Sequence, residues 1–147
     1  MLTVDEIAYY IIREYKAKYH HSIDLKKIGK LLYFAQRESY IVRDMPLFEE
    51  EIYAVKSGPT ALYSECHKFE IDCNTLDFDK YSVILDKILE VYAVKSELSL
   101  TNLSFGEISW RNAYNKMMQQ SISSIRIEKC DIQLDAHKIK KRRKKKF

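Results

Sequence analysis

Glycine and proline are scarce: Gly29, Gly58, Gly106, Pro46 and Pro59 are all that the 147 residues contain. An all-β chain draws on both residue types for its many tight turns, so the scarcity argues for helices joined by few of them. Cysteine is scarce too. Cys66, Cys73 and Cys130 form an odd set at irregular spacing, which excludes a disulfide framework and fits reduced thiols in a cytosol. No apolar run approaches the roughly 20 residues of a membrane span. Asp5 and Glu6 interrupt any leader-like pattern, so a cytoplasmic protein is expected.

The signatures of catalysis are missing as well. The three glycines lie too far apart to cradle a phosphate, and neither a His-Glu-x-x-His pair nor a nucleophile elbow occurs. His20-His21, Cys66-His67, Cys73 and Cys130 match no zinc module and read as surface histidines and small core thiols. Glu49-Glu50-Glu51 reads as a solvated acidic run, because nothing around it suggests the burial that tunes catalytic carboxylates. No enzyme activity, metal or cofactor is expected.

What is present is a core. Hydrophobic residues make up 46% of the chain, enough at this length for one stable domain without staples. Charge is unevenly spread. Residues 138–147 carry eight basic side chains and no acid, which leaves 25 − 8 = 17 basic against 21 acidic residues in 1–137. The body is therefore about −4 and the C-terminal stretch +8.

Periodicity predicts a helix over 4–19, opened by the capping box Thr3-Val4-Asp5-Glu6. A second helix follows Ser22 and Asp24, with Leu25, Ile28, Leu32 and Ala35 in one stripe and Gly29 within it, where a neighbouring helix can approach closely. Residues 51–56 alternate weakly, as a short strand would, and 57–60 form a turn around Gly58 and Pro59. Thr60 caps a short helix through Phe69, and 70–80 are a loop. Ser82 caps a helix carrying Leu85, Ile88, Leu89 and Tyr92, and another spans 99–105. Trp110 and Tyr114 fall in a loop or at the start of a further helix. The last helix begins near Glu128, carries Ile132, Ala136 and Ile139, and dissolves into the basic run. The expected fold is a compact, mostly α domain over 1–137, all-α or α+β with at most a short β segment near 51–56. A basic, disordered tail over 138–147 follows, because like charges in sequence repel.

That tail is a candidate polyanion-binding element, through Lys138, Lys140, Lys141, Arg142, Arg143, Lys144, Lys145 and Lys146. Phosphate contacts with counterion release would serve nucleic acid, and the same charges would meet an anionic membrane surface or an acidic partner. Only the terminal Phe147 interrupts it with an aromatic ring, so stacking on bases is not expected.

Several segments together resemble a known family. They are Ile23-Asp24-Leu25-Lys26-Lys27-Ile28-Gly29-Lys30-Leu31-Leu32-Tyr33-Phe34-Ala35-Gln36, then Pro46-Leu47-Phe48, Ile52-Tyr53-Ala54 and Ser57-Gly58-Pro59. Further on, Ile84-Leu85-Asp86-Lys87-Ile88 leads through Tyr92 to Leu98, Leu103, Trp110 and Arg111. Their order over residues 5–136 resembles the Panacea domain, the phage-associated, SocA-like antitoxin family. The chain departs from that pattern at Thr60, at Val55, and at Ser109, where proline often precedes the tryptophan. The basic stretch lies outside the resemblance. The resemblance implies a bacterial or prophage antitoxin, one half of a toxin–antitoxin system, that binds and neutralises a cognate protein toxin. Some members deliver the toxin to a protease. The partner-binding residues implied are Lys30, Tyr33, Gln36, Tyr53, Trp110 and Arg111, with Gly58 and Pro59 shaping a turn. A nucleic-acid-binding, autoregulatory protein is the alternative that the charge run alone suggests.

Overall fold

The computed structural model describes residues 1–63 and 78–145. Among these residues the chain is mostly α, with six α-helices and one small antiparallel sheet. Helix α1 (Val4–Tyr19) starts at the expected capping box: Glu6 N–H donates to Thr3 Oγ1 at 3.2 Å and Thr3 N–H to Glu6 Oε1 at 3.3 Å. His20 closes it in the left-handed region, at φ 64°. Ile7, Ala8, Ile11 and Tyr15 form its buried face.

Asp24 caps a 3-10 turn (Leu25–Lys27) that leads into α2 (Ile28–Arg43). Helix α2 is the axis of the molecule. Every residue from Ile28 to Ile41 is buried. A helix buried on all sides must find partners for most of the polar groups it carries. Lys30 reaches Glu97 at 3.4 Å, and Ser39 Oγ donates to the Met45 carbonyl at 2.7 Å. Gln36 donates from Nε2 to the Phe48 carbonyl at 2.9 Å, and its Oε1 accepts from the Leu47 amide at 2.7 Å. That clamp sets Leu47 and Phe48 into the core beside Leu31, Leu32 and Phe34.

Gly29 is where α2 meets the sheet. A Cβ there would lie 2.1 Å from Thr60 Oγ1. The close neighbour is thus a strand, not the helix expected from sequence. The strands are β1 (Ile52–Val55), β2 (Gly58–Ala61) and β3 (Ser124–Arg126), in spatial order β2-β1-β3. The short β segment near 51–56 is β1, and two further strands pair with it. The hairpin turn is Lys56-Ser57. Gly58, at φ +116°, and Pro59 open β2 rather than form the turn. Thr60 pairs with Tyr53 inside the sheet and caps no helix. The helix expected through Phe69 and most of the 70–80 loop lie outside the described residues.

Asp79–Tyr81 form a 3-10 turn before α3 (Ser82–Lys87). Ser82 is the first residue of that helix and does not cap it. A π-helical turn (Ile88–Tyr92) continues it. Ser96 caps α4 (Glu97–Phe105), its Oγ accepting from Ser99 N–H at 3.1 Å. Trp110 and Tyr114 belong to α5 (Ile108–Gln120).

The largest departure is at the C-terminus. Residues 138–145 are not a detached tail: they continue α6 (Lys129–Lys145). Arg143 pairs in a two-pronged bond with Glu38 of α2, 105 positions away, at 3.1 and 2.7 Å. A buried countercharge fixes one member of the run, and the self-repulsion that argued for disorder does not decide the outcome there.

Candidate functional site

Two features of the surface gather chemistry, and α5 contributes to both. The first is an apolar groove of about 500 Å³ lined by Phe105, Trp110, Tyr114, Met117, Met118 and Ile122, with Lys56 at its edge. Trp110 is its buried floor. Phe105 stacks on it at 5.1 Å between ring centres, and Tyr114 tilts against it at 5.6 Å. The spacing of Trp110, Tyr114, Met117 and Met118 puts them on one face of α5. Tyr114, Met118 and Ile122 stay exposed, so the groove presents aromatic rings and flexible thioethers to solvent. Those are side chains favoured in protein interfaces.

The second is a basic cavity of about 410 Å³ between α2, α5 and α6. Asp135, Lys138, Ile139, Arg142 and Arg143 line it from α6, at helical positions i, i+3, i+4, i+7 and i+8. Helix formation therefore sorts the basic run. Lys138, Arg142 and Arg143 turn to the cavity, whereas Lys140, Lys141, Lys144 and Lys145 do not line it.

The inner wall is an ion-pair network rooted in α2. Arg37 pairs through Nη1 with Glu107 and donates from Nη2 to Tyr92 OH at 2.6 Å. Tyr92, carried by the π-helical turn, donates in turn to Glu38 Oε1 at 3.2 Å. The Arg37 guanidinium also lies 4.8 Å from the ring centre of Phe34. Glu38 is fully buried and receives Arg143, with Lys87 at 3.8 Å. Burial alone would raise the Glu38 carboxyl, but the bond from Arg143 and the charges of Arg143, Lys87 and Arg37 bring it below its ordinary range. Glu107 goes the other way: burial pushes it up, and Arg37 offsets only part of that. Burial would lower Arg37, yet Glu107 and the two tyrosines nearby raise it, so it stays charged.

Asp135 performs a separate task. Its two oxygens accept from the Ile108 amide at 2.7 Å and the Ser109 amide at 2.9 Å, capping α5 from another helix. Ser109 also exchanges a hydroxyl bond with Tyr33 at 2.9 Å. A proline at this position would supply neither the amide nor the hydroxyl. The departure from the family pattern is thus matched by two partners built around it.

The residues expected to bind a partner divide accordingly. Lys30, Tyr33 and Gln36 are buried and bonded within the fold. Tyr53 is half-exposed in the central strand, paired with Thr60 and Arg126. Trp110 floors the groove, and the exposed Arg111 lines the cavity. Met118 is legible from the i, i+4 and i+8 spacing of Trp110, Tyr114 and Met118, whereas Ile122 lies beyond the end of α5 and carries no such signal. Nor do Arg37 and Glu38 carry one. Their partners lie far away in the chain, and no local pattern announces them. Among the described residues no group of three or more His, Cys, Asp or Glu could hold a metal, and no helix is long and apolar enough to cross a membrane.

No curated protein and no solved structure matches the chain. The family described as "Antitoxin SocA-like, Panacea domain" matches residues 28–144. That span starts later than the resemblance read from sequence and ends later, taking in the basic run as far as Lys144. It contains α2 through most of α6, and with them the groove, the cavity and the ion-pair network. The chain belongs to the SocA-like antitoxin family of Panacea-domain proteins.

Proposed function

We propose that this chain neutralises a cognate protein toxin by direct contact, as the antitoxin of a bacterial or prophage toxin–antitoxin system. Membership of the antitoxin family carries the reading. The groove over Trp110 supports it as the contact surface, since it combines a rigid aromatic floor with exposed Tyr114 and Met118. The test is co-expression and co-purification with the product of the adjacent gene. A stable complex and rescue of growth are expected. Trp110 is buried and its removal would perturb the fold, so the informative variant is Tyr114→Ala with Met118→Ala. Loss of an interface centre of this kind costs about 2 kcal/mol or more, roughly 30-fold in affinity. Rescue that survives both changes with unaltered affinity removes the groove from the reading. A neighbouring product that is harmless and does not bind removes the reading itself. The toxin's level separates two modes: sequestration leaves it unchanged, and delivery to a protease lowers it.

A second reading, nucleic-acid binding with autoregulation, is supported by the lysines of α6 that do not line the cavity: Lys140, Lys141, Lys144 and Lys145. Deleting 138–147 is a poor test, because Arg143 and Ile139 are packed into the body. Replacing the four lysines by glutamine leaves those contacts in place. Affinity for operator DNA that falls steeply with salt and vanishes in this variant supports the reading; affinity that survives refutes it.

A further inference from the structure

The cavity between α2, α5 and α6 shares no lining residue with the groove and has a distinct chemistry. Five cations line it: Arg37, Arg111, Lys138, Arg142 and Arg143. Two carboxylates, Glu107 and Asp135, also line it, which leaves 5 − 2 = 3 positive charges in excess. Both carboxylates are occupied. Glu107 holds Arg37, and Asp135 spends its two oxygens on the backbone amides of α5. Arg143 is held by Glu38. Arg111, Lys138 and Arg142 have no side-chain partner among the described residues. Arg37 stands behind them with its charge only partly offset within the fold: Nη1 pairs with Glu107, and Nε is buried without an acceptor. Buried donors of this kind are rare, because each costs on the order of 1–3 kcal/mol.

A fold that converges three unpartnered cations on one recess, with a fourth cation buried behind them, creates a standing demand for negative charge. A helix N-terminus does not account for it, since Asp135 already takes the first amides of α5. We propose that the cavity is a binding site for a small phosphate-bearing ligand, with Arg111, Lys138 and Arg142 as its direct contacts and Arg37 as a fixed positive wall. Guanidinium forks match phosphate oxygens in pairs, and two of the three direct contacts are arginines. A ligand of two or three negative charges balances the excess. A nucleic-acid strand would instead ride on the outward lysines, which do not reach the recess. The site goes beyond toxin binding and does not depend on it.

The probe is inorganic diphosphate, titrated calorimetrically into the full chain near physiological ionic strength. One-site saturable binding is expected. Arg111→Ala with Arg142→Ala should weaken it about tenfold or more, since two charge-assisted contacts are lost. Both side chains are exposed, so folding should persist; circular dichroism checks it, and Lys138→Gln provides a second variant with a smaller loss in the same direction. Lys140→Ala with Lys144→Ala should change affinity less than about twofold. Three results overturn the proposal: absence of saturable binding, equal weakening by the outward pair, or several weak sites per chain. The last two mean diffuse attraction to a polycation. A requirement for Arg111 and Arg142 in the toxin complex without any diphosphate binding also overturns it, by assigning these cations to an acidic partner surface.

Discussion

Replacing Glu38 by glutamine should release the C-terminal end of α6 while leaving the rest of the fold in place. Glu38 is wholly buried, and its carboxylate accepts both prongs of Arg143 and the hydroxyl of Tyr92. Removing one member of a fully buried ion pair typically costs about 3–5 kcal/mol, because the partner is stranded away from water. Here the stranded partners have an exit: the side chains of Arg143 and Lys87 are 34% and 32% exposed. Arg37 keeps Glu107 and Tyr92, and glutamine still offers one oxygen. Loss of the charge-assisted bonds alone then sets the scale, about 1.5–3 kcal/mol. Taking about 2 kcal/mol, the population in which residues 138–145 are undocked rises roughly 30-fold. Amide hydrogen exchange measured by mass spectrometry reads this directly, as faster exchange confined to the last turns of α6. Trypsin gives a second readout, since the segment is rich in lysine and arginine. Unchanged exchange over 138–145 would refute the anchoring argument. So would a loss of protection spread evenly over α1 and α2, which would make Glu38 a general core residue rather than the clasp of α6.

Two further outcomes follow from the same geometry. Gly29→Ala gains about 1 kcal/mol of helix propensity but drives a methyl into Thr60, an overpacking cost of about 1–3 kcal/mol. In a Thr60→Ala background the clashing oxygen is gone, so urea titrations of the four proteins should give a coupling of at least about 1 kcal/mol; simple additivity would rule out the contact. The Glu38 contribution should also fade in acid. A carboxyl held below its ordinary value, near 4.5, stabilises the fold fully above that pH and ceases to as pH falls through the depressed value. The gap in melting temperature between wild type and Glu38→Gln should be constant above about pH 4.5 and narrow below it. Glu107, raised by burial, works with the opposite sign, favouring the fold at low pH and losing that effect as pH rises. A gap that widens in acid contradicts the assignment to Glu38.

Local chemistry was legible and distant chemistry was not. The capping box at Thr3 and Glu6, the Asp24 cap and the strand at Ile52–Val55 all depend on neighbours within a few positions. Gly58-Pro59 has the chemistry of a turn, yet here Gly58 takes a positive φ just after the turn, and the pair enters the sheet as β2. Strand β3 has three residues and no alternation to notice, and its pairing with β1 spans about half the chain. Ser82 and Ser96 look alike as caps, and which one serves is decided by the 3-10 turn that precedes Ser82. The basic run was the hardest case. Like charges in sequence predict repulsion, and only a carboxylate 105 positions away reverses that locally. Sequence alone points to Trp110 and Arg111, which the fold places at the groove and at the cavity, whereas Arg37 and Glu38 lie one and two positions beyond the helix signature that ends at Gln36.

The placement of that signature bears on what family membership can tell. Lys30, Tyr33 and Gln36 define the recognisable helix, and all three are consumed in holding the fold together: Lys30 to Glu97, Tyr33 to Ser109, Gln36 to Leu47 and Phe48. They position the start of α5 and seat the Pro46-Leu47-Phe48 segment, so the pattern reports a scaffold. The exposed groove residues Tyr114, Met118 and Ile122 are not part of it. A scaffold whose identifying residues face inward leaves its outward residues free to differ without loss of fold. Under the proposed function, toxin recognition would rest on the exposed face of α5, and substitutions at Tyr114, Met118 and Ile122 should alter which toxin is bound while leaving the melting temperature nearly untouched.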